Sequence, residues 1–336
     1  MRSLRLRVPA ALFLAATLLA CPGDDPEPEW EEAFDASEVG WLLSVWGPSP
    51  EVSYTVGGTP QPSNGVVWRR DADGWAELDL GVDVPLLNWV TGFGPDDVWM
   101  VGNDGVIVHG DGSSWETVDS PTDQDLWGVW GAAPDDIYAV GGVPFAGGEP
   151  TVIHWDGASW EAVETPELSR ANVFAFFKVW GSGPDDVWVV GQQGAVIHWD
   201  GSAWSEVLVG ADVDLISIWG TGPDRIAVVG GRGNGWVFTW DGSEWRRVQP
   251  AGLPGLNGVW MGSDDVIHVC GEQGEIATFD FDTREMLTEP YQETSMAFHA
   301  IHGDGARLTT VGGSFNDPAG PDFRGLAYSR ALSDAD

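Results

Sequence analysis

One phrase recurs seven times along this chain, and a repeat of that length leaves few folds open. The cleanest copy, Val179 to Val207, reads VWGSGPDDVWVVGQQGAVIHWDGSAWSEV. The glycine after its first tryptophan returns at Gly47, Gly92, Gly131, Gly181 and Gly220, then near Gly262 and at Gly303, a period of about 43 residues. Each copy holds four short runs with β patterning, which belongs to propeller blades rather than to helical solenoids.

Within a copy the strands are named A to D from the axis outward. In the fourth repeat they are expected at Phe176–Trp180, Val187–Val190, Ala195–Trp199 and Trp204–Val207. Pro-Asp-Asp turns separate A from B, and Asp-Gly turns separate C from D, as at Asp111-Gly112, Asp156-Gly157, Asp200-Gly201 and Asp241-Gly242. Glycine accepts the positive φ such turns need, and aspartate bonds its own backbone two residues on. The 21 tryptophans fall mostly in columns. One is Trp46, Trp130, Trp180, Trp219 and Trp260; another, opening strand D, is Trp75, Trp115, Trp160, Trp204 and Trp245. Residues that recur blade after blade are expected to fill the space between twisted sheets.

The seventh repeat has A-, B- and C-like runs but no tryptophan-led strand D. The missing piece lies at the other end, where Trp30-Glu31-Glu32-Ala33 matches Trp115-Glu116-Thr117-Val118. The fold expected is therefore all-β: a seven-bladed propeller of four-stranded antiparallel blades, closed by an N-terminal strand pairing onto the last blade. Its blades fall at about 41–79, 86–119, 126–164, 175–208, 214–249, 256–289 and 297–331 plus 29–35, within a propeller at 30–331 and before a tail at 332–336.

Residues 1–20 stand outside that fold. Arg2, Arg5 and Arg7 precede an apolar run from Ala10 to Ala20 that is short for a membrane span, as in a secretory signal. The ending Leu18-Leu19-Ala20-Cys21 resembles the lipobox of bacterial lipoproteins. That resemblance implies cleavage before Cys21, a diacylglycerol on its thiol, and anchorage in the bacterial envelope, on the periplasmic or surface side of the outer membrane. Residues 21–29, Cys-Pro-Gly-Asp-Asp-Pro-Glu-Pro-Glu, cannot bury a core and read as an acidic Pro-rich tether.

The formal charge is −37, and removing the three signal arginines deepens it. Such a surface repels nucleic acid and anionic lipid headgroups, so the membrane is reached through the lipid anchor only. With Cys21 lipidated, Cys270 has no partner and reads as a small buried hydrophobe. The fold is expected to stand as a monomer.

The Asp-Gly-x-x-Trp turns, such as Asp111-Gly112-Ser113-Ser114-Trp115, and the recurring VWG and PDDVW phrases resemble bacterial Trp-rich propeller repeats related to the Asp-box (BNR-like) and YVTN families. The resemblance spans roughly residues 30–331 and speaks for fold. Asp-box propellers include sialidases, whose arginine cluster with acidic and tyrosine partners has no residue-by-residue counterpart here.

Antiparallel strands put the A–B and C–D turns on one face and the B–C loops and D-to-A connections on the other. The first set is short and repeated; the second varies, from Asn103-Asp104-Gly105 to Gly141–Pro150 and Gly313–Gly325. Variation on a rigid scaffold marks that face as the recognition surface. Its loops are acidic, relieved by Arg170, Arg232 and Arg324, which suits a neutral or cationic partner. Candidate anchors are Phe145, Phe174, Tyr291, Phe315 and Phe323, together with Arg232 and the lone lysine, Lys178. Lys178 lies in the fourth strand A and can project into the axial channel, although a salt bridge to a nearby aspartate is the plainer expectation.

No catalytic set emerges. His109, His154 and His198 share one strand-C column, too far apart between blades to hold one metal ion. His299 and His302, three apart on a strand, are expected to point to opposite faces. Calcium is the one cofactor such acidity suggests, but the Asp-Gly turns offer one carboxylate each, without a clustered loop. No cofactor is therefore expected. The reading is a non-catalytic scaffold binding a protein partner or a glycan on the variable-loop face. Two alternatives stand beside it: a glycan-active hydrolase or lyase at the channel mouth, and a periplasmic envelope-assembly factor.

Overall fold

The computed structural model describes residues 29–144, 147–262, 265–287, 294–315 and 323–332. The signal segment, Cys21, Phe145 and Tyr291 lie outside them. Seven antiparallel sheets, one per repeat, form an all-β propeller. Blade four shows the pattern: strand A at Phe176–Gly183, B at Asp186–Gly191, C at Val196–Trp199 and D at Trp204–Glu206. Strands A of the other blades run Trp41–Ser49, Leu87–Gly94, Leu126–Ala133, Leu215–Gly222, Leu256–Met261 and Ala297–Gly303.

The repeated words have physical meanings. In VWG, the tryptophan of one blade lies over the glycine of the next. A Cβ on Gly92, Gly181 or Gly220 would stand 2.8, 2.6 or 2.5 Å from the indole of Trp46, Trp130 or Trp180, so only glycine fits there. Blade two has Thr91 in the tryptophan column, and Phe93 covers Gly131 in its place. In PDDVW, the second aspartate clamps its own blade. Trp99 Nε1 donates to Asp97 at 3.0 Å, His109 Nε2 lies 2.9 Å from the same oxygen, and the two rings stack at 4.1 Å. Asp186, Trp188 and His198 repeat the clamp; in blade three His154 meets Asp136 and packs against the Tyr138 ring. The strand-C histidines are structural.

The strand-D indoles join neighbouring blades. Trp115, Trp160, Trp204 and Trp245 each meet, edge to face, the strand-B aromatic of the preceding blade: Tyr54, Trp99, Tyr138 and Trp188. In the Asp-Gly turns Asp111, Asp156, Asp200 and Asp241 accept backbone N–H groups two and three residues on. Those bonds hold Asp200 and Asp241 down at about 2, the serine hydroxyls adding most.

Closure follows the expected route. Glu31–Glu32 pair antiparallel with Gly325–Ala331 (Glu31 opposite Ser329, Glu32 opposite Tyr328), and Arg330 lies over the Trp30 ring at 5.5 Å. Blade six departs from the four-strand rule. Among the described residues its sheet has three strands, Leu256–Met261, Val266–Gly271 and Ile276–Asp280, and the outer position has one bridge, Phe279 to Met286. No tryptophan opens that segment, so the anchor that seats strand D elsewhere is missing.

Candidate functional site

Every strand A carries a register irregularity at the same place, between its first core residue and the residue two further on. A bulge leaves one side chain out of the ladder and re-aims it. The bulged residues are Leu43, Asn88, Trp127, Phe177, Ile216, Asn257 and His299, one per blade, at the end of strand A nearest the B–C loops. They ring the mouth of the axial channel. Its wall is apolar where Trp127, Phe177 and Ile216 pack with Ala175.

The polar members of the ring tie one blade to the next. Asn88 donates to Leu126 O and Asn257 to Phe298 O, both at 2.9 Å, and His299 Nδ1 lies 2.6 Å from Leu43 O. Burial, with the charge of Lys178 adding to it, pushes His299 down to about 3. His302 Nε2 lies 3.2 Å from Gly47 O. Both imidazoles thus address blade one. This corrects the expectation of opposite faces, because the bulge at His299 resets the alternation on which that expectation rests.

Lys178 is buried, 4% exposed. Its ammonium donates to Trp127 O at 2.7 Å and sits 4.1 Å from the centre of the Trp89 ring, with no carboxylate partner among the described residues. The expected salt bridge is not what the structure contains, because the acids lie in turns at the two faces and none projects from the middle of strand A. Burial pushes the ammonium down to about 7.

Arg232 stands at the mouth. Its Nε donates to Asp214 at 2.7 Å and its guanidinium lies over Phe177 at 5.6 Å. Arg170 donates to Ala211 O at 2.5 Å. Phe315 and Phe323 gather on Trp41, with centroids 5.2 and 5.1 Å away, and Phe315 also reaches His299 at 5.5 Å. Phe174 is half-buried and its N–H is held by Gln192. Phe174, Phe315 and Phe323 are thus half-buried at the rim, the last two packed against Trp41. Trp41, Trp127 and Phe177 were missed by sequence reasoning. For Trp127 and Phe177 the available signal was their shared column, a position of strand A that varies between blades.

No protein-family model and no curated protein matches the chain. Among solved structures it is similar to the WD40 β-propeller domain of Doa1, with a TM-score of 0.70 at 9% identity over 92% of this chain and 98% of that one. It is also similar to YCF48 bound to a D1 peptide, with a TM-score of 0.65 at 14% identity over 93% and 98%. At such identities the likeness is one of fold. The chain is a seven-bladed β-propeller, a fold consistent with a protein-binding scaffold.

Proposed function

We propose that the protein is a lipid-anchored envelope component, acylated at Cys21, whose propeller binds a protein partner through the B–C and D–A loop face. The observation that carries this reading is the rim of half-buried aromatics, Trp41, Phe174, Phe315 and Phe323, beside the apolar mouth formed by Trp127, Phe177 and Ile216. Half-buried aromatics give a partner large apolar contact at small entropic cost. The fold neighbour YCF48 is bound to a peptide, and a peptide segment is the partner class this reading assigns to the mouth. Acidic loops around it favour a neutral or basic segment. The Asp-Gly-x-x-Trp turns support a relation to the Asp-box propellers, and the reading is of a non-catalytic member.

Crosslinking in native membranes, followed by mass spectrometry, tests both halves. A partner recovered with the unaltered protein is expected to be lost with the double variant Phe315→Ser, Phe323→Ser, while unfolding shows the ring intact. Recovery of the same partner by the double variant rejects the face. Cys21→Ser is expected to release the protein from the membrane fraction, and retention there rejects the anchor.

A further inference from the structure

The position after the bulge is small in five blades, as Ser44, Gly128, Ser217, Gly258 and Ala300. Its two large members, Trp89 and Lys178, flank Gly128 and meet across it. A Cβ at 128 would lie 3.3 Å from Lys178 Cδ, so the bare glycine leaves room for the lysine stem. The pair closes the channel beneath the mouth.

Beyond it, towards the A–B turns, lies a cavity of about 180 Å³. Valine, isoleucine and indole side chains, among them Val129, Val179, Ile218, Trp130 and Trp180, line it together with Thr91 and polar groups, and no carboxylate does. Lys178 and His302 are its two titratable lining residues. An ammonium has three N–H donors, and Trp127 O accepts one of them. A buried positive charge without a counter-charge is costly, so the site favours whatever brings one. Size restricts the candidates further, since a cavity of about 150 Å³ is large enough for one benzene ring.

From this geometry we infer that the cavity binds a small monocarboxylate with a compact apolar body of about one ring, the carboxylate meeting Lys178 and the body meeting the valine and indole walls. A carboxylate supplies the missing charge and accepts the remaining N–H donors. An amine is repelled, and an alcohol leaves the ammonium uncompensated. The inference goes beyond the mouth reading and does not depend on it.

The charge state of Lys178 governs binding. The groups around it are His299, pushed down to about 3, His302, also lowered by burial, and Arg232, paired with Asp214. Both imidazoles are neutral at pH 7, so Lys178, poised at about 7, is the group among these that changes charge above it.

Benzoate is the probe, titrated into the detergent-solubilised full chain with indole fluorescence and calorimetry as readouts. Saturable binding is expected at pH 6, weakening about tenfold per pH unit above pH 7 as Lys178 loses its proton. Benzyl alcohol and benzylamine are expected to bind at least about tenfold more weakly, the discrimination one charge-assisted contact provides. Lys178→Met, which keeps most of the stem volume, is expected to abolish benzoate binding. No saturable binding at pH 6, an alcohol bound as tightly as the acid, or unchanged affinity in Lys178→Met overturns the inference. If that variant does not fold, the pH series on the unaltered protein decides, and an affinity that ignores pH overturns it equally.

Discussion

The joints between interior blades and the seam between blades seven and one solve the same packing problem with different chemistry. Inside the ring the solution is apolar and repeated: an indole lies over the next blade's glycine, and a strand-D tryptophan meets the preceding strand-B aromatic. At the seam His302 stands in the tryptophan column and addresses Gly47 O, while Thr309 occupies the strand-B aromatic position. Trp75 there meets Phe34 of the N-terminal segment at 5.3 Å, and Phe34 also stacks on Trp68 at 4.6 Å. An ion pair completes the join, Arg70 to Asp304 at 2.6 Å, with side chains 12% and 4% exposed. Repeats propagate along one chain, so neighbouring blades can share a template. The seam joins residues more than two hundred positions apart and is held by contacts specific to those residues.

If the seam depends on that ion pair, removing one partner has the largest effect. Asp304→Ala strands the Arg70 guanidinium in a buried setting and also frees the N–H groups of Ala306 and Arg307, which Asp304 now accepts. The expected loss is about 4 kcal/mol in denaturant unfolding at pH 7. Glu244→Ala, which breaks the exposed pair with Arg246, is the control and is expected to change nothing measurable. Equal losses in the two variants would break the comparison.

A smaller effect is expected from making the seam resemble the interior. His302→Trp restores the column residue, but its seat is not vacant. A Cβ on Gly47 would lie 2.6 Å from Ser53 Oγ, and Trp219 already approaches the His302 ring at 5.7 Å. Overpacking and the lost contact to Gly47 O are expected to cost about 2 kcal/mol. A neutral or stabilising result would mean that the seam is an ordinary joint after all.

The same contrast separates what could be read in the sequence from what could not. Blade number, the turn chemistry and Trp30 as the missing strand-D residue were legible because each repeats a pattern present in several copies. The mouth was not. A bulge adds one residue to a strand without any residue type that marks it, so the spacing of three between His299 and His302 does not set them on opposite faces. The acids were legible as a total but not as neighbours, and the aspartate expected beside Lys178 is replaced by a carbonyl and an indole. Blade six misled for the opposite reason: its period is regular, and only the lack of a tryptophan after Asp280 announces that the described residues form no outer strand.

The mildest test uses the bulge ring itself. Asn88, Asn257 and His299 occupy one column and each addresses a carbonyl of the following blade, so His299→Asn should keep that contact to Leu43 O and cost under about 1 kcal/mol at pH 7.5. Acid separates the two proteins. His299 is held at about 3 in the folded chain, whereas an unfolded histidine titrates near 6.5. Below pH 6.5 the unfolded state therefore binds a proton that the folded state does not, and stability falls as pH falls, until about pH 3. One unit below 6.5 this amounts to about 1.4 kcal/mol. Comparing denaturant unfolding at pH 7.5 and 5.5, the unaltered protein is expected to lose about that much more than His299→Asn, since His302 and the carboxylates contribute to both and cancel. Identical acid losses would place His299 in open solvent at the mouth and remove it from the seam.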